Sequence, residues 1–425
     1  MKLPEGWKED KFINVFMILK NNVFTRADMN YEKGMIQNIH YGDVLIKYDE
    51  ILNCENAQIP FINKDKEIKI SNFLNDGDVI IADTAEDETV GKAVEIFSIA
   101  DRKILAGLHT IPCRPKKDFF VPRYLGYYIN SPLFHTQLIP LITGIKVSSI
   151  SRSSLLNTNI LIPPLKEQQK IAEILCEQDT IISLKQKLLK QKQQQKKWFM
   201  QKLLEVSYTD VDYEEQFSLG GIVIDKSSWK KEKIKNIAEI SSGSTPRRDE
   251  AENFNGNILW LTSGELKQKY ISDTKEHISR QGAENSNLTI YKPGTVVIAI
   301  YGLEAAGIRG TCSIINTKCT ISQACMAFSN FKNVTNEYFY YWYLQNGQTI
   351  GMRYAQGTKQ QNLSTDLIGN LSIEIPSLPE QKIIAQVLST ADKEIALIKS
   401  SIEQEKQKKK SLAQLLLTGT VRVKI

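Results

Sequence analysis

Few residues in this chain are spaced for chemistry of their own. The six cysteines, at 54, 113, 176, 312, 319 and 325, form no Cys-x-x-Cys pair, and the four histidines are scattered. That usage predicts reduced thiols and no metal site. No Gly-x-x-x-x-Gly-Lys-Ser/Thr loop is present to cradle a nucleotide phosphate. There is also no Asn/Asp-Pro-Pro-aromatic motif and no glycine-rich cofactor loop, and the run Asn159 to Pro164 has the wrong spacing for one. A loose acid…Glu-x-Lys nuclease pattern can be drawn from Asp43 or Asp49 to Glu67-Ile68-Lys69. Such triplets are frequent in a Lys/Glu-rich chain, and nothing equivalent recurs in the second half. The expectation is a chain with no catalytic residues and no cofactor of its own.

The sequence does offer loop side chains of the kind that reach base edges, which require donors and acceptors on loops or a helix. In the second half, Ser244, Thr245, Arg247 and Arg248 lie on a Gly/Ser/Pro loop. Tyr301 and Arg309 flank a Gly-rich turn after an apolar run, and Lys359, Gln360, Gln361 and Asn362 form another polar cluster. The first-half candidates are Thr25, Arg26, Asn38, His40, Tyr41, Lys146, Ser148 and Ser149. Taken singly, each reads as a solvated loop residue; as a set, more than half are expected on one face. Trp7, Trp229 and Trp260 suit core packing better than base stacking, and Lys190 to Lys197 suits a solvated helix face. A net charge of +6 is compatible with nucleic acid without selecting it.

The elements that must position these residues come in duplicate. Ile162 to Leu175 and Ile375 to Leu388 share eight of fourteen residues at an offset of 213. The same offset pairs Asp179 with Asp392, Ile182 with Ile395, Lys196 with Lys409 and Leu203 with Leu416. Upstream, Gly77 to Ala82 matches Gly294 to Ala299, and Trp7 matches Trp229, at offsets that drift as insertions require. Each half therefore reads as a globular domain followed by a long helix. The domains carry short β-branched runs (Val79 to Ala82, Val296 to Ile300, Ile373 to Ile375) and a helix apiece, Tyr124 to Ile129 and Glu337 to Leu344.

Pro163-Pro164, and Pro376 with Pro379, belong at or before a helix start, with Glu167 and Glu380 in the first turn, where the helix dipole favours them. Ile171, Leu175, Ile182, Leu189, Phe199 and Leu203 fall in a heptad seam, and so do Ile384, Leu388, Ile395, Ile398, Ile402, Leu412 and Leu416. Gly419 would end the second helix. Lys166 to Leu204 would span roughly 58 Å. The predicted fold is α+β: two similar domains joined by two long helices that pair as an antiparallel coiled coil, a pseudo-twofold internal repeat. The expected boundaries are 1–162 and 229–375 for the domains, 163–205 and 376–417 for the helices, 206–228 for a linker and 418–425 for a tail. With 425 residues the chain exceeds one ordinary core. No apolar run approaches a membrane span, and the opening Met1 to Trp7 lacks a signal-peptide core, so a cytoplasmic protein is expected.

Several of these segments resemble the specificity subunits of type I restriction-modification systems. They are Leu3-Pro4-Glu5-Gly6-Trp7, Ser242-Gly243-Ser244-Thr245-Pro246 with Ile258-Leu259-Trp260-Leu261, Gly357 to Ser364, the two Ile-Pro-x-Leu-x-Glu-Gln helix starts, and the ending Leu416 to Val423. The resemblance covers nearly the whole chain. It implies two target-recognition domains reading the unlike halves of a split double-stranded DNA site, and helices that set the unread spacer. It also implies docking of two methyltransferase subunits and two restriction subunits, with S-adenosylmethionine, ATP and Mg2+ held by those partners. The first domain departs from the pattern, with Asn21 to Arg26 where the second has Ser242 to Arg247. A coiled-coil adaptor without DNA specificity and a stand-alone nuclease are the alternatives.

Overall fold

A computed structural model describes residues 3–68, 72–116, 119–144, 146–204, 216–219, 222–357 and 361–425. It divides into two units, Met1–Lys187 with Ser400–Ile425, and Leu188–Lys399.

In the first unit five strands lie in the order Phe16–Ile18, Thr110–Pro115, Val79–Ala82, Ala93–Phe97, Ile51–Asn53. All pair antiparallel except the last two, which are parallel. The two-residue period of a strand sends Val79 and Ile81 into one cluster, with Tyr124 and Tyr128. Ile80 and Ala82 enter another, with Ile39 and Val44. Burial on both faces is why this strand reads as an unbroken apolar run. A smaller sheet, Ile104–Ala106, Gln37–Ile39, Phe61–Ile62 and Met29–Asn30, flanks it.

The second unit repeats the plan. Its five strands run Glu239–Ser242, Cys325–Ser329, Val296–Ala299, Cys312–Ile315, Tyr270–Ile271, again with only the last pair parallel. Its smaller sheet is Glu276–Ile278, Ile258–Leu261 and Cys319–Ile321. Even the register of the closing strands is copied: Lys8 stands opposite Ile162 in one unit and Lys230 opposite Ile375 in the other.

Two details differ from the sequence reading. The helix of the second domain runs Asn336–Tyr354, well past Leu344. Its added turns bury Ile350 together with Asn346, Gly347 and Gly351, and those polar and glycine positions interrupt the apolar period. The stretch taken as a linker contains a hairpin, Gln216–Leu219 with Ile222–Asp225, whose Ile224 enters the core of the second unit.

The long helices are Leu165–Leu204 and Leu378–Leu417. Both start just beyond a proline, and the Ile-Pro-x-Leu-x-Glu-Gln motif does the same work twice. Glu167 accepts from the Trp7 indole at 3.0 Å, and Glu380 from the Trp229 indole at 3.4 Å. Gln168 is fully buried, donating to the carbonyls of Phe119 and Pro163 while accepting from the Val121 N–H. Gln381 makes the matching bonds to Asn333, Pro376 and Thr335. The motif thus fastens each helix to its own domain. Each apolar seam position named above is buried or half-buried. Within the first unit Asp179 meets Lys409 while the later Lys185 meets the earlier Glu405. In the second unit Lys192 meets Glu394 and Lys196 meets Asp392. Both sets run antiparallel. Gly419 closes the second helix with a left-handed φ of +67°, its N–H donating to the Leu416 carbonyl.

Candidate nucleic-acid interface

In the first unit the loops leaving the ends of the sheet strands converge. The strand Ser148–Ser149 pairs with Thr84–Ala85, just beyond Val79–Ala82. The Thr84 hydroxyl lies 3.3 Å from His109 Nδ1, and Asp83 lies 3.5 Å from the same ring. Tyr41 packs edge-on against His109 and lies 4.5 Å from the His40 ring. Arg26 holds Asp43 through both carboxylate oxygens, at 2.8 and 3.1 Å. Asn21 donates to the Gly107 carbonyl and accepts from Arg152 at 2.6 Å. These contacts bring polar residues of several loops and short-helix starts together, and Lys146 is exposed after the left-handed Gly144.

Two first-half candidates are placed otherwise than the sequence suggested. Asn38 is a core residue with no exposed surface, its amide spent on Asn22 and Met29; it is corrected from a contact to a support. His40 is also buried, and its Nδ1 accepts the Gly42 N–H as the N-cap of a short helix. That bond requires a neutral ring. Burial, with the neighbouring Arg26 charge, holds its pKa below the ordinary value. Thr25 is exposed and forms a capping box with Asp28.

The second unit places its candidates on the equivalent loops. Gly243 lies so close to the neighbouring chain that a Cβ there would sit 2.1 Å from the Ile321 carbonyl oxygen. The loop it opens is pinned by the Trp260 indole, which donates to the Ser244 carbonyl. Thr245 is half-buried. Arg248 is bidentate on Glu276 at 2.5 and 2.9 Å and stacks over Phe254 and Trp260; Arg247 is exposed, with Glu250 at 3.3 Å. Farther along, Leu303 donates to the Gln361 carbonyl, Gln361 donates to Glu304, and Arg309 donates to the Gln361 side chain. Asn362 pairs by its backbone with Gln356. Tyr301 is exposed at the start of this loop. Arg309 Nε and Asn362 Oδ1 are buried with no partner among the described residues. Lys359 and Gln360 lie outside the described residues.

Polar residues of these clusters that were not singled out from the sequence include Asn21, Asp83, Thr84, His109, Arg152, Glu276 and Glu304. The repeat held a signal for Arg152, because Ser151 and Ser364 each N-cap the helix that follows at the 213 offset. His109 held none, since it reaches the cluster only through a left-handed turn. Of the nuclease pattern, Asp43 is committed to Arg26 and Lys69 lies outside the described residues. No three His, Cys, Asp or Glu side chains come together as metal ligands among the described residues.

Known proteins show the same plan. The profile of the type I restriction modification DNA specificity domain matches twice, over residues 4–193 and 226–407. A putative type I restriction enzyme MjaX specificity subunit from Methanocaldococcus jannaschii is 23% identical over 433 residues, covering 100% of this chain and 95% of the relative. The MjaVIII specificity subunit of that organism is 25% identical, with the same coverage. Among solved structures, one from a study of type I R-M complex assembly superposes with a TM-score of 0.63 at 15% identity, covering 99% of this chain and 100% of its own. The S subunit from M. genitalium superposes at 0.53 and 14% identity, with 98% of each chain covered. Two matching domains, each entering a long helix through the same Glu-Gln motif, place this chain in the family of type I restriction-modification DNA specificity proteins.

Proposed function

We propose that the loop clusters of the two units each read one half of an asymmetric, two-part DNA site, on behalf of partner enzyme subunits. The observation that carries this reading is duplication of the framework without duplication of the loops. Strand order, closing register and the Glu-Gln anchors recur, whereas the presented side chains differ. The first unit offers Arg26, Tyr41, His109, Ser148, Ser149 and Arg152, and the second Arg247, Tyr301, Arg309 and Gln361. Similar frames bearing unlike readers suit unlike half-sites.

In this reading residues 1–162 and 229–375 are the recognition domains, and the helices of 163–205 and 376–417 fix the unread spacer. The segments 206–228 and 418–425 serve as connection and tail. The chain itself is non-catalytic. It works in the cytoplasm with two methyltransferase subunits, and with two restriction subunits where cleavage occurs. Those partners bind S-adenosylmethionine, ATP and Mg2+. The test is methylation mapping of DNA from cells carrying this chain with its adjacent methyltransferase subunit. A modified two-part motif with unlike halves and a fixed gap supports the reading. An unmodified genome, or a single continuous palindrome, overturns it.

A further inference from the structure

The helix pair carries two kinds of polar seam contact, and they differ in what they can discriminate. The first kind is a node of tyrosine, aspartate and lysine. In the first unit Tyr127 donates to Asp179 at 2.6 Å, and Asp179 holds Lys409 at 2.6 Å. In the second, Tyr341 donates to Asp392 at 2.8 Å, and Asp392 holds Lys196 at 2.5 Å. Asp179 and Asp392 are repeat equivalents, as are Lys196 and Lys409. The node is therefore self-complementary. Two first helices from different chains would satisfy it as well, Asp179 on Lys196 twice over.

The second kind is not self-complementary. Glu405 accepts from Gln178 at 2.7 Å and from Lys185 at 2.8 Å, with Lys408 on its own helix at 3.8 Å. Lys185 also donates to Ser401 at 2.6 Å. The repeat equivalent of Glu405 is Lys192, of opposite charge, and that of Lys185 is Ile398. Pairing two first helices in the same register would set Lys185 against Lys192 twice. Pairing two second helices would set the Glu405 carboxylate against Ile398 and, because Lys192 faces Glu394, against the Glu394 carboxylate, twice each. Only a first helix on a second joins the charges.

We propose that the Lys185–Glu405 contact is the pairing-selectivity element of this chain, directing its first helix to its second rather than to a first helix of another copy. Both partners are largely shielded from water, at 30% and 20% side-chain exposure. A like-charge replacement there is screened by solvent less than on an open surface. Charged seam positions set partner choice in coiled coils generally.

The two single reversals break the same contact, and each opens a different self-pairing. Lys185→Glu places a carboxylate against Glu405 and also creates two favourable Glu–Lys192 contacts between the first helices of two chains. Glu405→Lys places an ammonium at the repeat position of Lys192, which faces Glu394, and so creates two favourable contacts between the second helices of two chains. The full-length chain is compared by light scattering after size exclusion and by thermal unfolding. Lys185→Glu is expected to double the particle mass relative to the parent in a concentration-dependent way. Glu405→Lys is expected to do the same through its second helices, and each single reversal is expected to lower the midpoint by about 3–6 °C. The double reversal is expected to return both mass and midpoint to the parent values. If a reversed chain fails to accumulate, Glu405→Gln keeps the amide contact and removes the charge, and a midpoint identical to the parent overturns the proposal. So do equal masses for Lys185→Glu and parent, or a double variant whose loss is the sum of the singles.

Discussion

Replacing Gln381 by Leu tests how the second domain is fastened to its helix. The side chain is fully buried and uses three polar valences. Its Nε2 donates to the Asn333 and Pro376 carbonyls at 2.9 Å each, and its Oε1 accepts the Thr335 N–H at 2.7 Å. Leucine has nearly the same volume, so no cavity opens, but one N–H and two carbonyls lose their partner. A buried group left unpaired costs about 1–3 kcal/mol. The N–H has no second partner to turn to, while each carbonyl retains a second lone pair for relief. Setting the gain from a buried apolar side chain against these losses leaves a net cost of about 3–4 kcal/mol. For a unit of this size that is roughly 6–16 °C in midpoint. Scanning calorimetry can resolve it because two units need not melt as one transition. The Thr335 amide should also lose its protection from hydrogen exchange, since Thr335 caps the helix Asn336–Tyr354. Gln168→Leu should cost the first unit a similar amount through Phe119, Pro163 and Val121. A loss below about 1 kcal/mol with Thr335 still protected would refute the reasoning, because the valences would then be satisfied elsewhere.

The buried His40 ring takes up its proton later than it would in the unfolded chain, because burial and Arg26 hold its pKa below 6.5. Its contribution to stability is therefore full above about pH 6.5 and declines as pH falls below that value. His40→Asn keeps an N-cap acceptor without titrating, so its midpoint should vary less between about pH 6.5 and 5 than the parent's; parallel profiles would contradict the assignment. At the interface, Arg309→Ala removes a guanidinium held by Gln361. It should relax base preference in one half of the methylated motif, by about 1–3 kcal/mol of discrimination, and leave the other half unchanged. Relaxation of both halves together would mean that the two loop clusters do not read separately.

The periodic and duplicated parts of this molecule were legible in the order of its amino acids. Offsets shared by Ile162–Leu175 and Ile375–Leu388 marked the repeat, the prolines marked where helices begin, and the heptad spacing from Ile171 to Leu203 marked the buried stripe. These features are legible because helix geometry converts spacing directly into a face. Whatever depends on residues distant in the chain was settled only by folding. Asn38 looks like a loop reader in sequence, but it is buried because Asn22 and Met29 close over it. His109 and Arg152 join the polar face only because a turn and a helix cap bring them beside Thr84 and Asn21. The roles of Glu167 and Gln168 in fastening helix to domain likewise emerge only once Trp7 and Phe119 have folded against them. Local spacing fixes which face a side chain takes, whereas long-range packing fixes what that face meets.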